Sequence, residues 1–153
     1  LLVNNDYQHY EISNFSKPGY SSKHNKLYWL NKPYLALGAG AHFYDGEYRG
    51  YNLNSIKKYC KRLEMGNLAI AEKNKLNRLE KIEETMMLGL RLNQGISLTD
   101  FHKRFNQSLF DLYQEEIDKL VANNLILVDE NKLVLNKEGR ELANRVLSYF
   151  ILT

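Results

Sequence analysis

The sequence predicts an α+β fold in two parts, a strand-and-turn first part followed by a helical, winged-helix-like second part. Three observations carry that prediction. Nine of the eleven tyrosines and the sole tryptophan, Trp29, precede residue 75. Residues 1–76 hold eleven Lys/Arg against six Asp/Glu, a balance of +5, whereas 77–153 hold ten against twelve, a balance of −2. Apolar residues also change from short alternating runs to helical stripes near that point. A first domain over 1–70 and a second over 75–153 are therefore expected. The polar, helix-compatible "AEKNKLN" (71–77) is the predicted linker.

The first part reads as strand, irregular loop, hairpin, helix. "YQHYEI" (7–12) is strand-like, and Pro18 and Gly19 interrupt the chain after it. "YLALGAGAHFY" (34–44) reads as a strand, and Asp45-Gly46 before "EYRGYN" is the signal of a two-residue hairpin turn. "SIKKYCKRLEMGN" (55–67) spaces Ile56, Tyr59, Cys60 and Leu63 as a helix, with Asn54 or Ser55 as its cap and Gly66 as its end.

The second part begins with a helix whose stripe is Leu79, Ile82, Met86 and Leu90, stopped by Gly95. A second helix starts from a Ser97 or Thr99 cap. The third, within 108–124, places Leu112, Ile117, Leu120 and Val121 as core. "LILVDENKLVLN" (125–136) gives two short strands around a polar turn, and "KEGRELANRVLSYFIL" (137–152) closes with a helix. That order is the winged-helix order. Its third helix, however, carries Asp111, Glu115, Glu116 and Asp118 against Lys119, and its wing carries Asp129 and Glu130 against Lys132. Such a surface repels phosphates, so a packing or docking role is expected and nucleic acid is not an expected partner.

Composition narrows the classes further. The whole chain of 153 residues has a formal charge of +3, which names no polyanionic partner. One cysteine, Cys60, excludes an internal disulfide and any site needing several thiolates, which suits a reducing, cytoplasmic location. No apolar run approaches a membrane span, so no transmembrane segment is expected. The start, "LLVNNDYQHY", lacks signal-peptide character and reads as the interior of something longer.

Two stretches hold candidate site residues. In "HNKLYW" (24–29), a helix would set His24 against Tyr28 and Asn25 against Trp29 at i, i+4. One reading is packing, with Tyr28 and Trp29 joining the two parts and His24 and Asn25 satisfying backbone groups; the other is a pocket. In "LGAGAH" (37–42), Gly38 and Gly40 either permit close packing within a strand or bare the backbone for a ligand. His42 is read as a packing or hydrogen-bonding residue.

Taken together, "YEISNFSKPGYSSKHNKLYW" (10–29) and "YLALGAGAHFY" (34–44) resemble the carboxy-terminal part of HemW-like haem chaperones, in the radical S-adenosylmethionine, oxygen-independent coproporphyrinogen III oxidase (HemN) family. The second part is similar to that family's carboxy-terminal domain, so the resemblance covers nearly the whole chain. It implies the end of a radical S-adenosylmethionine α/β barrel followed by the winged-helix-like domain. It implies a haem-handling surface at His24, Asn25, Tyr28 and Trp29, with a neutral imidazole as a common haem-iron ligand. Gly38, Ala39, Gly40 and Ala41 would line the barrel near bound S-adenosylmethionine.

The family's 4Fe-4S cluster needs a three-cysteine loop, which Cys60 cannot supply. The 4Fe-4S cluster, S-adenosylmethionine and haem therefore belong to the parent protein, and the chain alone is expected to hold no cofactor, no metal and no catalytic residue. Expected partners are the missing amino-terminal barrel, haem or a porphyrin, and a haem-accepting protein, with self-association of the chain through apolar faces left uncovered. The alternatives implied are a fragment of a coproporphyrinogen III oxidase, which decarboxylates propionates by radical chemistry, and a docking module only.

Overall fold

The computed structural model describes residues 1–152. They form two compact units, Leu1–Asn31 together with the residues from Lys81 onward, and Lys32–Glu80. This division cuts the chain differently from composition. The reason is pairing at a distance in sequence. Strand β1 (Gln8–Glu11) pairs antiparallel with β2 (Asn14–Ser16), a second strand that alternation did not foresee. Glu11 then bridges Leu92, the Ile12 N–H donates to the Arg91 carbonyl at 3.0 Å, and the Asn93 N–H donates to the Tyr10 carbonyl at 3.1 Å. The change of composition near 75 thus marks a change of sequence character; a domain boundary there stays a proposal.

Helix α1 (Lys23–Trp29) follows, with Ser22 accepting the Asn25 N–H at its start. In the 32–80 unit, β3 (His42–Tyr44) and β4 (Tyr48–Asn52) form the expected hairpin. The Asp45 N–H donates to the Tyr48 carbonyl at 3.1 Å, so its loop residues are Gly46 and Glu47, one position later than the Asp-Gly pair suggested. Helix α2 (Ile56–Glu64) has its cap at Ser55, and Gly66 follows it with φ +72°. None of its residues is buried.

The predicted linker is a strand. β5 (Ile70–Lys75) pairs antiparallel with β4, from Tyr48 opposite Lys75 to Asn52 opposite Ile70, and ends a three-stranded sheet of order β3-β4-β5. Its polar composition misleads because residues 71–75 are exposed, as an edge strand permits. Lys73 reaches 4.1 Å from the Tyr48 ring, and Tyr51 donates to Glu72 at 3.0 Å.

Helix α3 (Arg78–Gly89) starts with a reciprocal cap: the Glu80 N–H donates to Asn77 at 3.0 Å and the Asn77 N–H to Glu80 at 2.7 Å. Then come β6 (Ile96–Ser97), α4 (Leu98–Phe105), α5 (Phe110–Ala122), β7 (Ile126–Val128) and β8 (Lys132–Leu135). The three strands form an antiparallel sheet of order β6-β8-β7. Ile82, Met86, Leu90, Phe101, Leu109, Tyr113, Ile117, Leu120, Leu133 and Phe150 pack as one buried core.

Two expectations fail here. Leu112 is only partly buried and Val121 is 46% exposed, because the inward stripe of the helix runs through Tyr113, Ile117 and Leu120, at i, i+4 and i+7. The closing helix is also broken into α6 (Lys137–Glu141) and α7 (Ala143–Leu147) by Leu142 (φ −104°, ψ 23°). Tyr113 satisfies its hydroxyl by donating to the Phe150 carbonyl at 3.1 Å. Burial first, then the carboxylates of Glu83 and Glu116, push its phenol far above the ordinary range.

Candidate functional site

The six residues from His24 to Trp29 are helical, as their spacing suggested, but the helix divides them. His24 is exposed, and its Nε2 lies 2.9 Å from the Tyr28 hydroxyl with the rings edge to face, centroids 4.7 Å apart. That contact couples proton position to ligand capacity. If the hydroxyl accepts from Nε2–H, the Nδ1 lone pair is free; if it donates to Nε2, the free lone pair is lost and Nδ1 carries the proton.

Trp29 behaves differently. It is partly buried, with the Arg91 guanidinium 4.6 Å from its ring centroid and its indole N–H buried without an acceptor. It also walls a small cavity, about 150 Å³, with Thr85, Ile96, Phe101 and Arg104. Asn25 contributes its backbone N–H to the Ser22 cap, and its side chain makes no hydrogen bond among the described residues.

The glycine stretch is a loop and not a strand, because Gly38 (φ +105°) and Gly40 (φ +70°) both lie in the left-handed region. The loop is held from outside. Asn52, 6% exposed, donates its side-chain amide to the carbonyls of Ala36 (3.2 Å) and Gly38 (3.0 Å), while the Gly38 N–H donates to the Tyr59 hydroxyl at 3.1 Å. The two glycines face different surroundings. A Cβ on Gly38 would meet nothing within 4 Å, whereas one on Gly40 would stand 3.0 Å from Asn54 Oδ1. Ala39 and Ala41 are partly buried, and His42 is exposed with its ring 5.3 Å from that of Tyr51.

Residues 76–142 match the family model described as the HemN C-terminal domain. The heme chaperone HemW of Lactococcus lactis is 38% identical over 99% of this chain and 40% of its own length. HemW of Bacillus subtilis is 37% identical over 93% of this chain and 38% of its own. The chain belongs with the HemW-like members of the HemN family. It spans about 40% of the length of these relatives. Its fold also matches the Escherichia coli coproporphyrinogen III oxidase HemN, described as a radical SAM enzyme, with a TM-score of 0.74 at 17% identity over 99% of this chain and 38% of that one.

Within this HemW-like chain, three residues that sequence reasoning missed stand beside the candidate stretches, each within its own unit. Asn52 fixes the glycine loop, Arg91 covers Trp29, and Glu11, fully buried, hydrogen-bonds Asn14 through one carboxylate oxygen and leaves the other without a partner. Asn52 is the last residue of β4 and is marked by no motif. Glu11 and Arg91 become neighbours in the fold only through the β1 contacts with residues 91–93.

Proposed function

We propose that this chain is the carboxy-terminal part of a HemW-like radical S-adenosylmethionine protein, and that α1 presents a haem-handling surface. The observation that carries the reading is the His24–Tyr28 pair, an imidazole held outward on an exposed face by a hydroxyl that governs which nitrogen keeps its lone pair. Haem supplies an iron that accepts such a lone pair and a flat apolar ring that aromatic side chains cover. Trp29 serves by holding the end of the helix against Arg91, and Asn25 by starting it.

The glycine loop is read as a contact for S-adenosylmethionine. The open space beside Gly38 fits this role, since the backbone there is bare on the side a ligand would approach. Gly40 is packed against Asn54 and would act by shaping the loop. The chain does not fit an iron–sulfur cluster by itself, because its lone cysteine, Cys60, is exposed and three thiolates are needed. Any radical step therefore belongs to the longer protein. The part over 32–80 is read as the end of its barrel, and the helices and sheet after it as a winged-helix-like docking domain. Exposed Asp111, Glu115 and Asp118 on α5 disfavour nucleic acid as its partner. No helix among the described residues is long and apolar enough to cross a membrane. Cytoplasmic location and a haem-accepting partner protein complete the proposal.

The test is made on the full-length protein. His24→Ala is expected to weaken haem binding about tenfold or more and to shift the Soret band, while S-adenosylmethionine binding stays within about twofold. Tyr28→Phe, which removes the hydroxyl and keeps the ring, is expected to change the pH dependence of haem binding. If His24→Ala lowers thermal stability and leaves the haem spectrum unaltered, the stretch is a structural joint and the reading fails.

A further inference from the structure

A groove of about 480 Å³ on the other side of Arg91's environment is lined by Ser13, Arg91, Arg140, Asn144 and Arg145, with Glu141 as its one acidic group. Its charge is unusual for a surface this small: three guanidiniums against one carboxylate, a local balance of +2. None of the three arginines forms an ion pair with a carboxylate among the described residues. Their donors are largely unspent. Arg140 donates one N–H to the Leu135 carbonyl at 2.9 Å, the Arg91 Nε–H is buried without an acceptor, and the Arg145 side chain, exposed, makes no hydrogen bond among the described residues. Ser13 and Asn144 add a hydroxyl and an amide, which can donate to the same anion.

Arginines that line one groove with few protein partners leave guanidinium donors that an anion can accept from, several forks at once. We propose that this groove binds the carboxylates of a small anionic ligand, and that in the haem-handling reading those carboxylates are the porphyrin propionates. The existence of the anion site stands on the groove alone; the identity of the ligand rests on that reading. Arg91 ties the two together, because it is one of the residues that line the groove and its guanidinium covers the Trp29 indole. An anion that draws Arg91 is therefore expected to change the emission of the chain's only tryptophan.

The experiment compares haem, haem dimethyl ester, which keeps the ring and iron but loses both negative charges, and inorganic pyrophosphate. Porphyrins are followed in the Soret band and pyrophosphate by Trp29 fluorescence, in the wild type and in Arg145→Gln. The Arg145 side chain is exposed and makes no hydrogen bond among the described residues, so the variant is expected to fold; Arg140→Gln serves as a second variant. The wild type is expected to prefer haem over the ester by about tenfold or more, and Arg145→Gln to lose most of that preference while binding the ester as before. Equal binding of haem and ester by the wild type, with no response to pyrophosphate, overturns the proposal. Binding of neither porphyrin together with a pyrophosphate response that Arg145→Gln abolishes removes the haem reading and leaves the anion site in place. A haem preference that survives in both variants also overturns the groove's part in it.

Discussion

From Lys81 onward the large apolar side chains close on one another: Ile82, Met86, Leu90, Tyr113, Ile117, Leu120 and Leu133 are each at most 2% exposed. Between Lys32 and Glu80 the opposite holds, with Leu35 83%, Leu37 85%, Ile56 74%, Met65 64% and Leu68 75% exposed around a small core of Phe43, Tyr44 and Ala69. The amphipathic α2 shows the same contrast within one element, since Ile56, Cys60 and Leu63 stay exposed and only Tyr59 is partly buried, its hydroxyl accepting from the Gly38 N–H. A unit that spends its apolar surface internally gains stability from it; one that leaves such surface in water carries an incentive to associate. The helical unit is thus expected to set the stability of this chain, and the 32–80 unit to set its behaviour in company.

The largest effect is expected where the core is densest. Leu120, 1% exposed, lies among fully enclosed neighbours, so Leu120→Ala should cost about 2 to 5 kcal/mol in chemical unfolding. A loss below about 1 kcal/mol would mean that the site collapses around the missing atoms and that the packing is looser than it looks. Gly139→Ala tests the same unit through the backbone. A Cβ there would stand 1.8 Å from the Leu125 carbonyl oxygen, so α6 and the residue that leads into β7 must part, at a cost on the order of 3 kcal/mol. An unchanged unfolding midpoint would refute that close approach.

The other half of the comparison predicts a change without a stability cost. Leu35→Ser and Leu37→Ser together should leave unfolding within about 0.5 kcal/mol per site and lower self-association in sedimentation velocity. If they destabilise the monomer strongly, these leucines are core and the contrast between the units is lost.

Much of the helical unit was legible because its signals are local. Ile82, Met86 and Leu90 repeat at helical spacing and are all buried; Ser55 and Ser97, each one of two caps the sequence offered, sit at helix starts and cap. Reading failed where the outcome depends on partners distant in sequence. "AEKNKLN" is polar enough for a linker, yet β4 recruits most of it as an edge strand, and an edge strand needs no apolar residue to hold its ladder. Val121 and Leu112 took places in the expected core that belong to Tyr113, which shares the i, i+4, i+7 stripe of Ile117 and Leu120 but carries a hydroxyl that needs the distant Phe150 carbonyl. For the candidate site, the His24–Tyr28 contact followed directly from i, i+4 spacing, whereas Arg91 over Trp29 could not, since it joins residues brought together only by the fold.

The smallest expected effect sits at the hairpin of the 32–80 unit and asks whether its few internal ties matter. Asp45 is held below the ordinary carboxylate range, first by the Tyr48 N–H at 2.7 Å, then by the Glu47 N–H at 2.9 Å, with Lys73 adding to both at 3.2 Å. The folded-state value is depressed, so the stabilisation is fully present above the unfolded value, about 3.9, and is lost as pH falls through the lowered folded value. The group is exposed, and salt and solvent screen it, so the effect is small. Thermal unfolding of the wild type and of Asp45→Asn should differ by a constant small amount from neutral pH down to about 4, and the two should converge on further acidification. Lys73 takes part in both the ion pair and the contact over the Tyr48 ring, so raising the salt concentration should shrink the difference without abolishing it, because the two backbone N–H bonds remain. A difference that widens below pH 4 would mean that protonated Asp45 stabilises the turn, and the backbone N–H groups would then not be what holds this hairpin closed.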